Sequence, residues 1–224
     1  MNAELFKQTS ESLGVLLSPE QLDQFQKFED ELYEFNEVMN LTRVPREESW
    51  RRHFIDSLLF QDLLPADSKV LDIGTGPGFP AWPLACARPD LKLTALDSNN
   101  KMLGFLTTMP LPNLKVVNSR AEDWKEKGKF DVVTGRAVAP LAAQLEISAA
   151  FAKVGGLVIP MRAQSDLEFL KSVNLTPLGL RLVRHIERPL PGTEVIRLFP
   201  IYEKIKPTNP GFPRRWAEIK RKPL

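Results

Sequence analysis

Val70-Leu71-Asp72-Ile73-Gly74-Thr75-Gly76-Pro77-Gly78-Phe79-Pro80 is the stretch whose reading decides the fold. An apolar strand runs directly into three alternating glycines, and a helical stretch follows. In an open α/β sheet the ligand crevice lies beyond the carboxyl ends of the strands, where glycines let the backbone turn tightly and approach a ligand that a Cβ would push away. The next apolar run, Leu91-Lys92-Leu93-Thr94-Ala95-Leu96, ends in Asp97. That acid stands about 20 residues past the glycines, the distance at which such folds set a carboxylate on ribose hydroxyls. Strand, glycines, helix and second-strand acid together describe a site for a nucleoside-containing ligand.

The glycine spacing narrows the ligand. A dinucleotide fingerprint reads G-x-G-x-x-G, its third glycine letting a helix N-terminus pack under a pyrophosphate. Phe79 occupies that third position here, and the glycines fall instead at Gly74, Gly76 and Gly78, two residues after Asp72. This layout resembles the motif of S-adenosylmethionine (SAM)-dependent methyltransferases of the Rossmann-like class, whose cofactor has no pyrophosphate. A nicotinamide-dependent oxidoreductase is the rival that Phe79 argues against.

Farther along, the resemblance becomes specific. Asp72 to Pro80, Arg120-Ala121-Glu122-Asp123, Phe130-Asp131-Val132-Val133-Thr134-Gly135-Arg136-Ala137-Val138-Ala139-Pro140-Leu141 and Pro213-Arg214-Arg215 look like the RsmG family, also called glucose-inhibited division protein B. Asn40-Leu41-Thr42 and Arg52-His53-Phe54-Ile55-Asp56-Ser57-Leu58 match it too, so the resemblance runs from about residue 20 to the C-terminus. It implies methyl transfer to guanine N7 in bacterial small-subunit (16S) ribosomal RNA, with SAM as cofactor and either the RNA or an assembling small subunit as partner. Three segments depart from the family pattern: Ala81-Trp82, Pro160-Met161-Arg162, and a short helix after Asp97. A second reading keeps the fold and ribosome association but not the turnover.

On this reading Gly74, Gly76 and Gly78 bring backbone amides to the methionine part of SAM and Phe79 closes one side, while Asp97 accepts from the ribose hydroxyls. The resemblance places Ala121 and Glu122 beside the adenine. Arg136 ends the fourth strand, where amino-methyltransferases carry an Asp/Asn-Pro-Pro-aromatic motif that grips an exocyclic amine. That motif is absent. Guanine N7 has an in-plane lone pair and needs no general base, so no catalytic acid or base is assigned and catalysis rests on alignment and electrostatics. An arginine donating to N7 would block the reacting lone pair, so Arg136 is expected to hold the cofactor carboxylate, guanine O6 or a phosphate, the carboxylate being the favoured partner.

Composition bounds the remainder. The chain has 224 residues, 43% of them hydrophobic, enough for one core with a small helical cap. No apolar run approaches a membrane span of about 20 residues, and the N-terminus lacks a secretory pattern, so a monomeric cytoplasmic protein is expected. The single cysteine, Cys86, excludes a disulfide framework and a cysteine-rich metal site and reads as a small core residue. Net charge is only +2, yet residues 1–40 carry nine acids against Lys7 and Lys27, whereas residues 203–224 carry seven bases against Glu203 and Glu218. Arg214, Arg215, Lys220 and Arg221 of that tail, together with Arg52 and His53, are the expected RNA contacts. His53 alternatively serves as a hinge between cap and sheet.

Three segments result: a helical extension over 1–66, a SAM-binding domain over 67–203 and a basic tail over 204–224. Residues 3–17 read as weakly helical. Ser18-Pro19-Glu20-Gln21 then forms a capping box with proline in the first turn, and Leu22, Phe25, Phe28, Leu32, Phe35 and Met39 make an apolar stripe. A helix over about 46–60 follows. Strands are expected near 69–74, 91–97, 114–118, 130–135 and 156–161, and helices near 79–88, 99–108, 138–153 and 165–172, with barely a turn between the third and fourth strands. Two apolar runs joined by Pro189-Leu190-Pro191-Gly192 close the domain as a hairpin. The sum is a mostly parallel, doubly wound sheet with an antiparallel C-terminal edge.

Overall fold

Short apolar runs bounded by glycine, proline and asparagine become the strands of a single seven-stranded sheet in the computed structural model, which describes residues 1–224. β1 (Lys69–Ile73), β2 (Lys92–Asp97), β3 (Leu114–Asn118), β4 (Phe130–Arg136) and β5 (Ala152–Ala163) are parallel. β6 (Leu180–Pro189) and β7 (Ile196–Lys204) complete the order β3-β2-β1-β4-β5-β7-β6. β7 is the antiparallel strand and lies between β5 and β6, so it is inserted inside the edge and not placed at it. Chain direction across the sheet reverses between β1 and β4, the switch point at which the strand ends diverge and leave a crevice.

The expected capping box is present: Gln21 N–H donates to Ser18 Oγ at 3.2 Å and Ser18 N–H to Gln21 Oε1 at 2.8 Å, opening α2 (Pro19–Met39). Asn40 ends that helix in the left-handed conformation, at φ 53. α2 and the shorter α1 (Ala3–Ser12) lay Phe6, Phe25, Phe28 and Leu32 on one sheet face, all fully buried. Each large apolar side chain removed from water this way contributes roughly 1.5–3 kcal/mol. Trp82, a departure from the family pattern, is part of this packing. Its ring lies 4.2 Å from that of Phe28, and its indole N–H donates to the Met109 carbonyl at 2.9 Å.

Three expected helices differ. The helix over 46–60 is a 3₁₀ turn at Arg46–Glu48, a π-helical stretch at Trp50–Ile55 and one α turn, α3 (Asp56–Leu58). α4 (Ala81–Ala87) and α5 (Asn100–Thr108) form close to where they are expected, but α6 spans only Leu141–Ala149, because the chain turns back and enters β5 at Ala152. Residues Gln164–Phe169 make a 3₁₀ turn where a longer helix is expected. The basic tail carries α7 (Trp216–Arg221), whose Ile219 is fully buried on the face of the sheet opposite the helical cap.

Candidate cofactor site

At the carboxyl ends of β1 to β4 a cavity of about 290 Å³ opens, lined among others by Gly74, Asp97, Ala121, Glu122, Val138 and Trp216. The loop after β1 takes its shape from its glycines. Gly74 has φ +69, and a Cβ there would stand 2.9 Å from Val138 Cγ2. Gly76 has φ +57, and a Cβ there would meet no protein atom within 4 Å, so this residue borders open space.

Asp97 is locked to that loop. Its Oδ2 accepts the Gly76 N–H at 2.8 Å and its Oδ1 the Asn99 N–H at 2.8 Å, which fixes the carboxylate plane and leaves lone pairs toward the cavity. The Gly76 amide is therefore spent on Asp97. Glu122 lies 3.8 Å from the Arg120 guanidinium, and Ala121 forms a buried wall. Beneath the loop, Asp72 accepts the Ala81 N–H at 3.1 Å through Oδ2, while its Oδ1 and the Thr75 hydroxyl are buried without a partner. Burial pushes the Asp72 carboxyl up to about 7. An acid fixed by backbone amides, an open glycine and a cleft with a small apolar wall fit an adenosine-containing cofactor.

Several expected site residues stand elsewhere. Phe79 does not close the cavity. It is 3% exposed, stacks on the His53 ring at 4.2 Å and belongs to the aromatic core under the helical cap. His53 is 6% exposed, which removes it from the RNA contacts and supports its alternative place as a hinge: its Nε2 lies 2.7 Å from Thr42 Oγ1 and its Nδ1 3.4 Å from Arg136. Burial, with Arg136 and Arg52 nearby, lowers its pKa to about 3, so the imidazole is neutral.

Arg136 is not free to clamp a cofactor carboxylate, because its guanidinium is bonded to Asp56 Oδ2 at 2.9 Å and to the Arg52 carbonyl at 3.1 Å. Asp56 is fully buried and also holds Arg197, through bonds of 2.6 and 3.0 Å. Arg214 is likewise corrected. Its backbone and guanidinium make three bonds of 2.6–2.9 Å to the buried Glu146, so it pins the tail instead of reaching for RNA. Arg52 pairs with Glu48 on the surface, and Arg215, Lys220 and Arg221 are exposed. Trp216, which sequence reasoning missed, is brought into the cavity wall by this anchoring. Its signal is the Trp216/Ile219 pair, an i, i+3 apolar face within a basic tail.

Beside the cofactor cavity lies a second hollow, of about 390 Å³, between the ends of β4 and β5; Ala137 and Val138 line both. Ala137 has φ +54, a conformation an alanine adopts only where its surroundings force it. Arg162, another departure from the family pattern, braces this turn by donating to the Ala139 carbonyl and to Gln144, each at 2.7 Å. Cys86 is buried with its thiol pushed up to about 12, which makes it inert as a nucleophile. No cluster of His, Cys, Asp and Glu could hold a metal ion, and no helix is long and apolar enough to cross a membrane.

Solved structures share this architecture. A SAM-dependent methyltransferase from Aquifex aeolicus superposes with a TM-score of 0.55 at 15% identity, over 76% of this chain and 97% of that one. TYW2 from M. jannaschii, solved in complex with AdoMet, superposes with a TM-score of 0.54 at 18% identity, over 66% and 74%. Among sequences, the ribosomal RNA small subunit methyltransferase G of Lactobacillus delbrueckii subsp. bulgaricus is 38% identical over the full length of both chains. The protein of that name from Clostridium beijerinckii is 36% identical over 99% of this chain and 98% of its own. Residues 21–176 match the family described as GidB, rRNA small subunit methyltransferase G. A Rossmann-like sheet with a cavity at its switch point, matched from end to end by these sequence relatives, is the SAM-dependent fold of the rRNA small subunit methyltransferase G family, to which this chain belongs.

Proposed function

We propose that the chain transfers a methyl group from SAM to N7 of a guanine in small-subunit ribosomal RNA. The observation that carries this reading is the pair of cavities sharing the Ala137–Val138 wall, one with a nucleoside-binding acid and the other rimmed by Arg136, Arg162 and Arg197. SAM supplies an electrophilic methyl group when bound. Gly74, Gly76 and Gly78 form the loop that faces it, Asp97 takes the ribose hydroxyls, and Ala121, Glu122 and Trp216 enclose the adenine. The arginine-rimmed hollow takes the guanine, where Arg197, which spends only Nε and Nη2 on Asp56, can donate through Nη1 to O6 and leave the N7 lone pair free. No base is needed and none is positioned, His53 being neutral and bonded to Thr42. Arg52, Arg215, Lys220 and Arg221, all exposed, take the RNA backbone on this reading.

Radiolabelled methyl transfer to purified small subunits and to their extracted RNA tests the reading. The product should be N7-methylguanine, which becomes cleavable by aniline after borohydride reduction, and Cys86→Ser should retain activity. A methyl group found on a pyrimidine, a ribose or an exocyclic amine would overturn the assignment. Trp216→Ala should weaken SAM binding roughly tenfold, equivalent to about 1.4 kcal/mol of aromatic packing. Calorimetry showing unchanged affinity would remove the tail from the cofactor site.

A further inference from the structure

Lys69 and Lys92 begin β1 and β2 as register partners, and one step along, Thr94 pairs with Lys115 on β3. Strand alternation turns all of these toward the same face, since Val70, Leu93 and Leu114 between them pack into the core on the cap side. Lys69 and Lys92 therefore stand side by side on strands about 4.8 Å apart, and Lys115 continues the row diagonally, two residues farther along the next strand. Like charges set side by side on one sheet face destabilise it. All three lysines are exposed and none enters an ion pair, whereas the nearby Lys129 is bonded to Glu126 at 2.7 Å and Lys153 to Asp131.

The row lies in an open groove of about 610 Å³ at the amino ends of the strands. It is open because no helix connects β3 to β4: residues 119–129 run as a loop from the cofactor cavity at the carboxyl ends, lined by Ser119 to Glu122, to the amino ends, lined by Trp124, Glu126 and Lys129. Trp124, half-buried against Phe130 and Phe151 at ring distances of 5.8 and 5.4 Å, forms the apolar wall. Asp90 and Glu126 also line the groove, but both are held by other cations, Arg88 and Lys129. The groove and the cofactor cavity sit at opposite ends of β2, about 16 Å apart along the strand.

We infer that this lysine row is a second RNA-docking surface, which holds the phosphodiester backbone of the substrate on the side of the sheet remote from the reacting base. A polyanion relieves the mutual repulsion of the row, and Trp124 gives a neighbouring unpaired base an apolar face to rest on. The inference rests on the ribosomal RNA reading above. It adds that the protein grips its substrate at two places, so affinity for a large RNA exceeds affinity for a fragment that reaches only the cofactor end.

The test compares the wild-type protein with a Lys69→Gln/Lys92→Gln/Lys115→Gln variant, both full length, for binding to small-subunit ribosomal RNA over a series of salt concentrations. The variant should bind at least tenfold more weakly near physiological salt. Its slope of log affinity against log salt should be shallower by about two to three units, close to one for each phosphate that a lysine no longer neutralises. SAM affinity should be unchanged, and thermal stability equal or higher because the repulsion is gone. Equal RNA affinity and slope in the two proteins would overturn the docking surface. So would a loss confined to binding of polyglutamate, which would assign the row to an acidic protein. Wild-type protein that binds no ribosomal RNA at any salt would defeat the ribosomal RNA reading itself, a result separable from either of these.

Discussion

A Gly76→Val variant folds and no longer binds SAM, with affinity reduced at least a hundredfold by calorimetry. Two features of this position separate folding from binding. At φ +57 a side chain with a Cβ costs about 1–2 kcal/mol, which a domain with a typical reserve of 5–15 kcal/mol survives. Nothing in the protein lies within 4 Å of a Cβ built there, so a side chain has room to extend from the loop. The added isopropyl group occupies the space in front of the loop, and any shift of the Gly76 amide also disturbs the bond that fixes Asp97. Gly78 makes the contrast, since a Cβ there would lie 2.8 Å from Leu106 Cδ1 and 3.2 Å from Trp82 Cβ, so substitution strains the core as well. Cooperative unfolding near the wild-type temperature, together with full SAM affinity in Gly76→Val, would remove this loop from the cofactor site.

The difference between these two glycines also marks how far sequence alone carries. β1 to β4 are legible because each is a short apolar run closed by Gly, Asp, Asn or Arg, and local chemistry fixes their ends within a residue or two. The capping box at Ser18 and Gln21 and the hairpin turn at Pro189 to Gly192 are equally local. Asp97 falls at the cavity because its position follows from strand order. The side-chain partners are not legible. Arg136 meets Asp56 across 80 residues and Arg214 meets Glu146 across 68, and nothing in either segment announces the other. Phe79 follows the glycines directly, yet the helical cap supplies His53, Phe28 and Phe54 to bury it, and the size of that apolar cluster outweighs proximity to the loop. The helix expected over 138–153 ends early for a similar reason. Its alanine-rich run continues to Ala152, but hydrogen bonding of residues 128–130 to Ala150 and Phe151 draws the chain into the sheet.

Asp56→Ala should cost about 3–5 kcal/mol of stability and abolish methyl transfer even where the variant remains folded. Asp56 is fully buried, and its two oxygens satisfy both Arg136 and Arg197. Removing it leaves two partly buried guanidinium groups without a counter-charge, a more damaging change than removing either arginine, which leaves the carboxylate with one partner. Activity follows stability here because Arg136 stands between the helical cap and the arginine-rimmed hollow, its guanidinium 5.2 Å above the Phe79 ring. The buried carboxylate thus positions a cation at the rim of the acceptor hollow and ties the cap to the sheet in the same bond. Arg197→Met should cost less than Asp56→Ala, and an Asp56→Ala/Arg136→Met double variant should lose less than the two single changes added together, because their shared interaction is counted once. Urea unfolding gives these energies and single-turnover methylation gives the activities. If Asp56→Ala changes stability by less than about 0.5 kcal/mol and keeps full turnover, the ion triad is not what sets Arg136 in place, and its role at the acceptor hollow would have to rest on the π-helical carbonyl of Arg52 alone.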